Sequence, residues 1–505
     1  MPSTAQSEPV ESKATGVILP SRPSFYEINT RLWLRELSRL YGRAITLVNV
    51  PAEVWDVLSG FRFDAVWLMG VWERSPAGRA MAMENDDLRQ AFAAALPDAD
   101  DEDIVGSPYS IRAYEVDEAL GGRDGLAAAR AELAARGMGL ILDFVPNHVA
   151  PDHPWIVEHP DYFIRGTAAD LASAPTEFFE TGGRIVANGR DPYYPPWPDV
   201  AQLNAFDAGL RAATTDLLLD IAGQCDGLRC DMAMLMSTEI FSRTWGERAG
   251  APPDEQYWEE MIPAVRARHP HFCFIAEVYW NMEWQMQKQG FDFCYDKRLY
   301  DRLARESAVE VREHLAADLA YQEHLVRFIE NHDEPRAAAV FQAGKALAAA
   351  IAAYTLPGAK LFHYGQFEGA TVQLPVFLTR RPLEASDRAL NAFYRRLANE
   401  IQNPALREGQ WRLCALNGWP DNTSYNNLVA WCWLAGDERR VVVVNLSSHT
   451  SQARVQLPWP ELAGQNWVFF DVMDERTYEW AGDEVLNMGL YVELAPWGRH
   501  FFAVR

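Results

Sequence analysis

Cys225-Asp-Gly-Leu-Arg-Cys-Asp231 is a short apolar segment that ends on a charged pair. Side chains alternate along a strand, so Arg229 and Asp231 point to one face while Leu228 and Cys230 point to the other. If the first face is the inside of a barrel, a guanidinium and a carboxylate share its mouth. The cation then lowers the pKa of Asp231 and keeps it ionised, as a nucleophile requires. Taken by itself, the pair reads more readily as a structural ion bridge, because functional sites are few in any chain.

Working outward, seven more runs have the same build: Tyr26–Trp33, Ala65–Met69, Leu140–Val145, Phe272–Glu277, the Gly290–Asp296 region, Leu325–Asn331 and Lys360–Tyr364. Each is apolar and ends in polar residues, and amphipathic stretches with helical spacing lie between them. Eight such units predict an α/β fold, a (β/α)8 TIM barrel, whose chemistry sits on the loops at the C-terminal strand ends. Barrel segments are expected at 24–148 and 205–404. Between them, 149–204 is loop-rich and carries Asp191-Pro-Tyr-Tyr-Pro-Pro-Trp197, which predicts a small insertion domain after strand three. Tyr193, Tyr194 and Trp197 are candidates to line the cleft, with Pro-rich packing as the alternative. From 405 to 505 the texture is strand-like, with Arg440–Leu446, Gln452–Leu457, Trp467–Val472 and Leu490–Val504 between turn residues, which predicts a C-terminal antiparallel β-sandwich.

Charge narrows the function. Lys and Arg total 46 against 70 Asp and Glu, a net −24 that repels nucleic-acid phosphates and anionic membranes alike. Neither is expected as a partner. The six cysteines form no CxxC pair and no dense framework, so they read as core residues. Residues 1–23, rich in Ser, Pro, Glu and Ala and without a secretory apolar region, are expected to be a disordered tail of a cytoplasmic protein. The longest apolar helix-like run, Ala346–Leu356, is too short for a span of about 20 residues.

Three further strand ends carry titratable groups. In Phe274-Ile-Ala-Glu-Val-Tyr279, Glu277 emerges from an apolar wall, which raises a carboxyl pKa and suits a general acid; a surface or capping Glu is the alternative. Phe328-Ile-Glu-Asn-His-Asp333 offers His332 and Asp333 to sugar hydroxyls, or anchors a loop. In Leu142-Asp-Phe-Val-Pro-Asn-His148, Asp143 closes a strand and Pro146 stops any helix, leaving Asn147 and His148 on the loop. Each piece alone admits a structural reading, but four strand ends in this order are a set.

The set resembles the conserved regions of the α-amylase family, glycoside hydrolase family 13. Asp143-Phe-Val-Pro-Asn-His148 is similar to the first region, Gly227-Leu-Arg-Cys-Asp231 to the second, Ala276-Glu277 to the third and Asn331-His-Asp333 to the fourth. Pro198-Asp-Val-Ala-Gln-Leu-Asn204, Tyr109-Ser-Ile-Arg-Ala-Tyr114 and Pro357-Gly to Gly365-Gln366 resemble further family segments, so the likeness runs over about residues 24 to 400. It implies Asp231 as nucleophile, Glu277 as acid/base and Asp333 as the carboxylate gripping the sugar ring. Arg229, His148, His332, Tyr109 and Asp143 are then the substrate-binding residues, with Tyr109 beneath the ring. The implied reaction is double displacement on α-glucosidic bonds of oligosaccharides, with the two carboxyls roughly 5–5.5 Å apart.

Three departures from the family pattern matter. Met234-Leu235 stands where many endo-acting members have Lys-His, so the acceptor side is expected to differ. That His also helps hold a calcium ion in such members. Its loss predicts no essential metal or cofactor, although Asn147 and backbone carbonyls still offer oxygen ligands to calcium. Ser110 replaces a common Asp, removing one polar contact. Hydrolysis of an α-glucan or α-glucoside leads the readings. Its alternatives are a transglycosylase or sugar isomerase on the same intermediate, and a catalytically silent carbohydrate-binding homologue. The sequence specifies no oligomeric state.

Overall fold

Gly227–Cys230 is a strand in the computed structural model, which describes residues 16–505. It is one of eight parallel strands: β1 (Ser24–Asn29), β2 (Ala65–Met69), β3 (Gly139–Phe144), β4 (Gly227–Cys230), β5 (Cys273–Ala276), β6 (Phe293–Tyr295), β7 (Leu325–Arg327) and β8 (Ala359–His363). They close in sequence order, with β8 pairing back onto β1. Helices cover the outside, so the strands are buried on both faces and read as near-continuous apolar runs. Gly227 is needed where it stands: a Cβ there would lie 2.7 Å from the Cys273 carbonyl oxygen and 2.8 Å from Ile141.

Register puts the chemistry on one rim. Arg229 lies level with Asp143 of β3 and Ile275 of β5, and Cys230 level with Phe144 and Ala276. The ladder continues one residue further, since the Asp231 N–H donates to the Phe144 carbonyl at 2.8 Å and the Glu277 N–H to the Cys230 carbonyl at 3.0 Å. Asp231 and Glu277 therefore leave neighbouring strands at the same height and the same end.

Two expected strands end four residues before their apolar runs do. The run from Tyr26 to Trp33 is strand only to Asn29, whose side chain accepts from the Leu32 N–H at 3.2 Å and starts helix α1 (Thr30–Tyr41). The run from Leu325 to Asn331 is strand only to Arg327. Asn331 Oδ1 then accepts from the N–H groups of Asp333 and Glu334, turning the chain across the rim.

The insertion after β3 is a four-stranded antiparallel sheet, in the order His148–Val149, Trp197–Gln202, Arg184–Gly189, Phe178–Thr181. It has a small core of its own around Val149, Ile156, Phe163, Val186 and Leu203. A second excursion, unforeseen in the sequence, leaves β2. Trp72–Arg74 pairs with Ile111–Val116, and the helices Pro76–Glu84 and Asp86–Ala95 lie between them. Phe92 and Leu96 pack on Leu378 of the long loop after β8, and Arg380 of that loop pairs with Asp98 and buried Asp103. Two helices in the expected place of one barrel helix gave no signal of a separate wall.

The C-terminal region is a six-stranded antiparallel sheet facing a three-stranded one. Alternation in its central strands explains both contacts. Trp431, Trp433, Val442 and Val444 join the barrel core, while Ala430, Cys432, Val441 and Val443 face the smaller sheet. Of the tail expected to be disordered, residues 1–15 lie outside the described residues. Residues 16–23 are a correction: the Val17 N–H donates to Asp226, and buried Arg22 pairs with Glu323 at 2.6 Å and lies over Trp433. An Arg satisfied on a partly buried carboxylate and an indole face fixes that stretch. Among the described residues no helix is long and apolar enough to cross a membrane.

Candidate active site

One guanidinium organises the rim. Arg229, with no more than 1% of its side chain exposed, donates from Nη1 to Asp231 Oδ1 at 2.7 Å. Its Nη2 stands 2.8 Å from Glu277 Oε2 and 3.8 Å from Asp333 Oδ2. Its own orientation is set by Tyr295 of β6 and by the rings of Trp67 and Tyr109, each 5.3 Å from the cation. The three carboxylates carried by β4, β5 and the turn after β7 thus meet on one cation.

The two buried carboxyls differ. Burial pushes Glu277 up to about 7 against the pull of Arg229, with Asp231 and Asp333 adding to the rise. Asp231 is also raised, by burial first, with Arg229 opposing through charge and hydrogen bond. This corrects the expectation that Arg229 alone would depress Asp231; a nearly closed site outweighs one cation. Arg229 nevertheless separates the pair, since Nη1 makes an aligned hydrogen bond to Asp231 while Nη2 makes only an ion-pair contact with Glu277. The proton therefore settles on Glu277, and Asp231 carries the charge.

Glu277 is held on both oxygens. Oε2 accepts from the Met232 N–H at 2.8 Å, and Oε1 from the Tyr279 hydroxyl at 2.7 Å. Met232 adopts φ +41, a left-handed conformation that costs a branch-free residue about 1–2 kcal/mol and turns its N–H toward the carboxyl.

On the opposite side, His332 donates from Nδ1 to Glu27 of β1 at 2.5 Å, and its Nε2 lies 3.0 Å from Asp333 and 2.7 Å from the Tyr109 hydroxyl. Burial disfavours its charge, but Asp333 and Glu27 outweigh burial and hold it as the imidazolium. The half-exposed Asp333 is lowered in turn: burial opposes, and His332 and Arg229 prevail. Tyr109 stacks on His332 with ring centres 5.4 Å apart. His148 sits beside Trp197 at 5.3 Å and is pushed down to about 3 by burial, so it is a neutral imidazole.

Asp143 is not at the surface of this site. It has no exposed area, and its oxygens accept from Trp67 Nε1 at 3.0 Å and the Gly70 N–H at 2.7 Å. Expected among substrate-binding residues, it lies fully buried, and its carboxylate ties β3 to β2 through Trp67 and Gly70. Ser110 likewise turns away, donating to the Asp199 carbonyl at 2.8 Å. Met234 and Leu235 are buried in a single turn, Ala233–Met236, and present no polar group to the acceptor side. Tyr193 reaches from the insertion to Trp280 after β5, edge to face at 4.8 Å, while Tyr194 is exposed.

The sequence matches the α-amylase catalytic-domain family over residues 55–430. This chain belongs to the α-amylase family. Among relatives, it is 28% identical over 247 residues to the α-amylase MalA of Haloarcula japonica, covering 46% of this chain and 32% of that protein. It is 26% identical over 441 residues to an α-1,4-glucan:maltose-1-phosphate maltosyltransferase of Streptomyces coelicolor, covering 80% of this chain and 58% of the relative. The matched part is thus less than two thirds of either relative's length. Among solved structures, a maltogenic α-amylase, AmyB, from Thermotoga neapolitana superposes with a TM-score of 0.68 at 18% identity, over 96% of this chain and 98% of that one. That likeness is one of fold.

Within this α-amylase-family chain, sequence reading missed Glu27, Tyr279 and Tyr295. Glu27 had a signal, a lone charge inside the apolar segment Ser24-Phe-Tyr-Glu-Ile-Asn29. The two tyrosines had none, because aromatic residues at strand ends are ordinary core. Asn147, the side-chain oxygen that the sequence offers to calcium, is hydrogen-bonded within the protein. Asn147 Oδ1 and its backbone oxygen both accept from Gln202 Nε2 at 2.9 Å, and the same amide nitrogen donates to the Leu203 carbonyl at 3.0 Å. Flipping Gln202 would set its oxygen against three carbonyl-type oxygens, so the donor must face them.

Proposed function

We propose that this protein is a retaining enzyme acting on α-glucosidic bonds of oligosaccharides. The observation that carries the reading is the single guanidinium of Arg229 in contact with Asp231, Glu277 and Asp333 at one barrel rim. Glu277 gives its proton to the leaving glycosidic oxygen while Asp231 attacks the anomeric carbon and forms a β-glycosyl ester. Arg229 holds Oδ1 of Asp231, so Oδ2 is the attacking oxygen. Glu277, now a carboxylate, takes a proton from water or from a sugar hydroxyl, and that oxygen displaces Asp231 with the α configuration restored. Asp333, held by protonated His332, accepts hydrogen bonds from ring hydroxyls, and Tyr109 supplies a face beneath the ring.

Transfer to a sugar acceptor is favoured over hydrolysis by the acceptor side. There the buried, apolar Met234 and Leu235 supply no polar side chain to hold a water, and Tyr193 of the insertion meets Trp280 after β5 edge to face. The relative matched over most of this chain is named as a maltosyltransferase, which agrees. A silent carbohydrate-binding role is disfavoured by the complete carboxylate set. Six buried, unpaired cysteines fit a reducing compartment, and we place the enzyme in the cytoplasm on that ground.

Incubation with maltose and with maltoheptaose tests the reading. Products longer than the substrate support transfer, and shorter ones alone support hydrolysis. The first anomer released, followed by proton NMR, is expected to be α; a β anomer, or no turnover of any α-glucoside, overturns the proposal.

A further inference from the structure

The acid Glu277 has only one oxygen from which it can give a proton. Oε2 accepts from the Met232 N–H at 2.8 Å and lies 2.8 Å from the cationic Arg229 Nη2 in an ion-pair contact, and a proton on that oxygen would point at one positive group or the other. The proton must sit on Oε1. That oxygen is in contact with the Tyr279 hydroxyl at 2.7 Å, and a leaving glycosidic oxygen has to reach the same atom.

We propose that Tyr279 is a positioning residue that occupies the place of the leaving oxygen on Glu277 Oε1 and is displaced from it by substrate. The proposal rests on the reading of Glu277 as the acid. Its geometry is local: Tyr279 is two residues along the same segment, half-buried, and its ring packs against the core. The ring is carried just ahead of a tight turn, in which Trp280 and Asn281 both hold left-handed conformations, φ +62 and +60.

The role has a kinetic signature. In the free enzyme the phenol donates to the Glu277 carboxylate, a charge-assisted bond that favours the ionised form. In the substrate complex that bond is gone. Removing the hydroxyl therefore raises the pKa of Glu277 in the free enzyme only. The other charged and titratable groups facing Glu277 are Arg229 and Asp231 on the β4 strand end, Asp333 after β7 and Tyr295 of β6. All remain in place in Tyr279→Phe, so the change isolates one bond.

The experiment measures pH profiles of kcat/KM and kcat for Tyr279→Phe and wild type on an aryl α-glucoside with a poor leaving group. The alkaline limb of kcat/KM is expected to move up by about one pH unit, while the alkaline limb of kcat stays within a few tenths. An unmoved kcat/KM limb, or two limbs moving together, overturns the role of Tyr279. Should the Phe variant melt far below wild type, a crystal structure of Asp231→Asn soaked with maltose decides instead. A sugar oxygen within hydrogen-bond distance of Oε1 with Tyr279 swung away supports the role, and Tyr279 still bonded to Oε1 beside a bound sugar refutes it. Glu277→Gln keeps the two readings apart. If it slows activated and unactivated substrates equally, the acid assignment itself falls; if the assignment stands and the limb stays put, only the role of Tyr279 falls.

Discussion

Glu27 Oε1 and His332 Nδ1 lie 2.5 Å apart, a buried ion pair joining the first strand of the barrel to the turn after the seventh. Burial opposes the charge on Glu27, yet His332 first and His363 next bring its pKa below the ordinary value, while His332 is raised well above its own. His332 contributes stability fully below its unfolded pKa of about 6.5 and loses it as pH rises through the higher folded value. Glu27 contributes fully above its unfolded pKa of about 4.3 and loses it as pH falls through the lower folded value. The pair is thus strongest from about pH 4.3 to 6.5, the window between the two unfolded values. Glu27→Gln is expected to cost about 3 kcal/mol there, because it leaves a buried imidazolium with one counterion fewer. Denaturant unfolding across that window checks it, and a variant as stable as wild type would remove the ion pair from the account.

Asp231→Asn keeps the shape of the side chain but removes the attacking oxygen's charge. Turnover is expected to fall on the order of 10⁴-fold or more, with circular dichroism unchanged. Wild-type kcat/KM should decline above about pH 7 as Glu277 loses its proton. A variant with more than about one hundredth of wild-type activity would mean that another group attacks.

Asp143 is predicted to matter for stability more than for substrate contact. Asp143→Ala strands the Trp67 indole and the Gly70 N–H, two buried donors at roughly 1–3 kcal/mol each. The expected loss is about 2–6 kcal/mol, measured by denaturant unfolding. Wild-type stability with a raised KM would instead place Asp143 against the sugar.

Gln202 is expected to satisfy Asn147 without a metal ion. Excess chelator should leave both melting temperature and activity unchanged, and Gln202→Ala should lower the melting temperature by several degrees, since Asn147 loses its donor inside the protein. A melting temperature that falls with chelator and recovers with added calcium would show that the amide does not take the ion's place.

Much of this molecule was legible because its physics is local. Apolar runs of strand length ending in charge repeat along the chain, and only a closed parallel sheet puts all their ends on one rim. Arg229 and Asp231 are two residues apart on one strand, so alternation alone set them side by side. What the sequence could not say comes from residues far apart in the chain. Glu27 finds His332, a separation of 305 residues, only after the barrel closes. The loop after β8 meets the helices after β2 through Leu378 and Arg380, a wall that no short window contains. The protonation order of Glu277 and Asp231 also belongs to the folded state, because burial, the largest influence on both, has no value until the rim exists. Strand identity and the placement of Arg229, Asp231, Glu277 and Asp333 at strand ends were properties of the chain. The commitment of Asp143 to the floor, the fit of Gln202 at Asn147 and the contact of Tyr279 with the acid are properties of how separate strands lie against one another, since hydrogen-bond partners are chosen by distance in space.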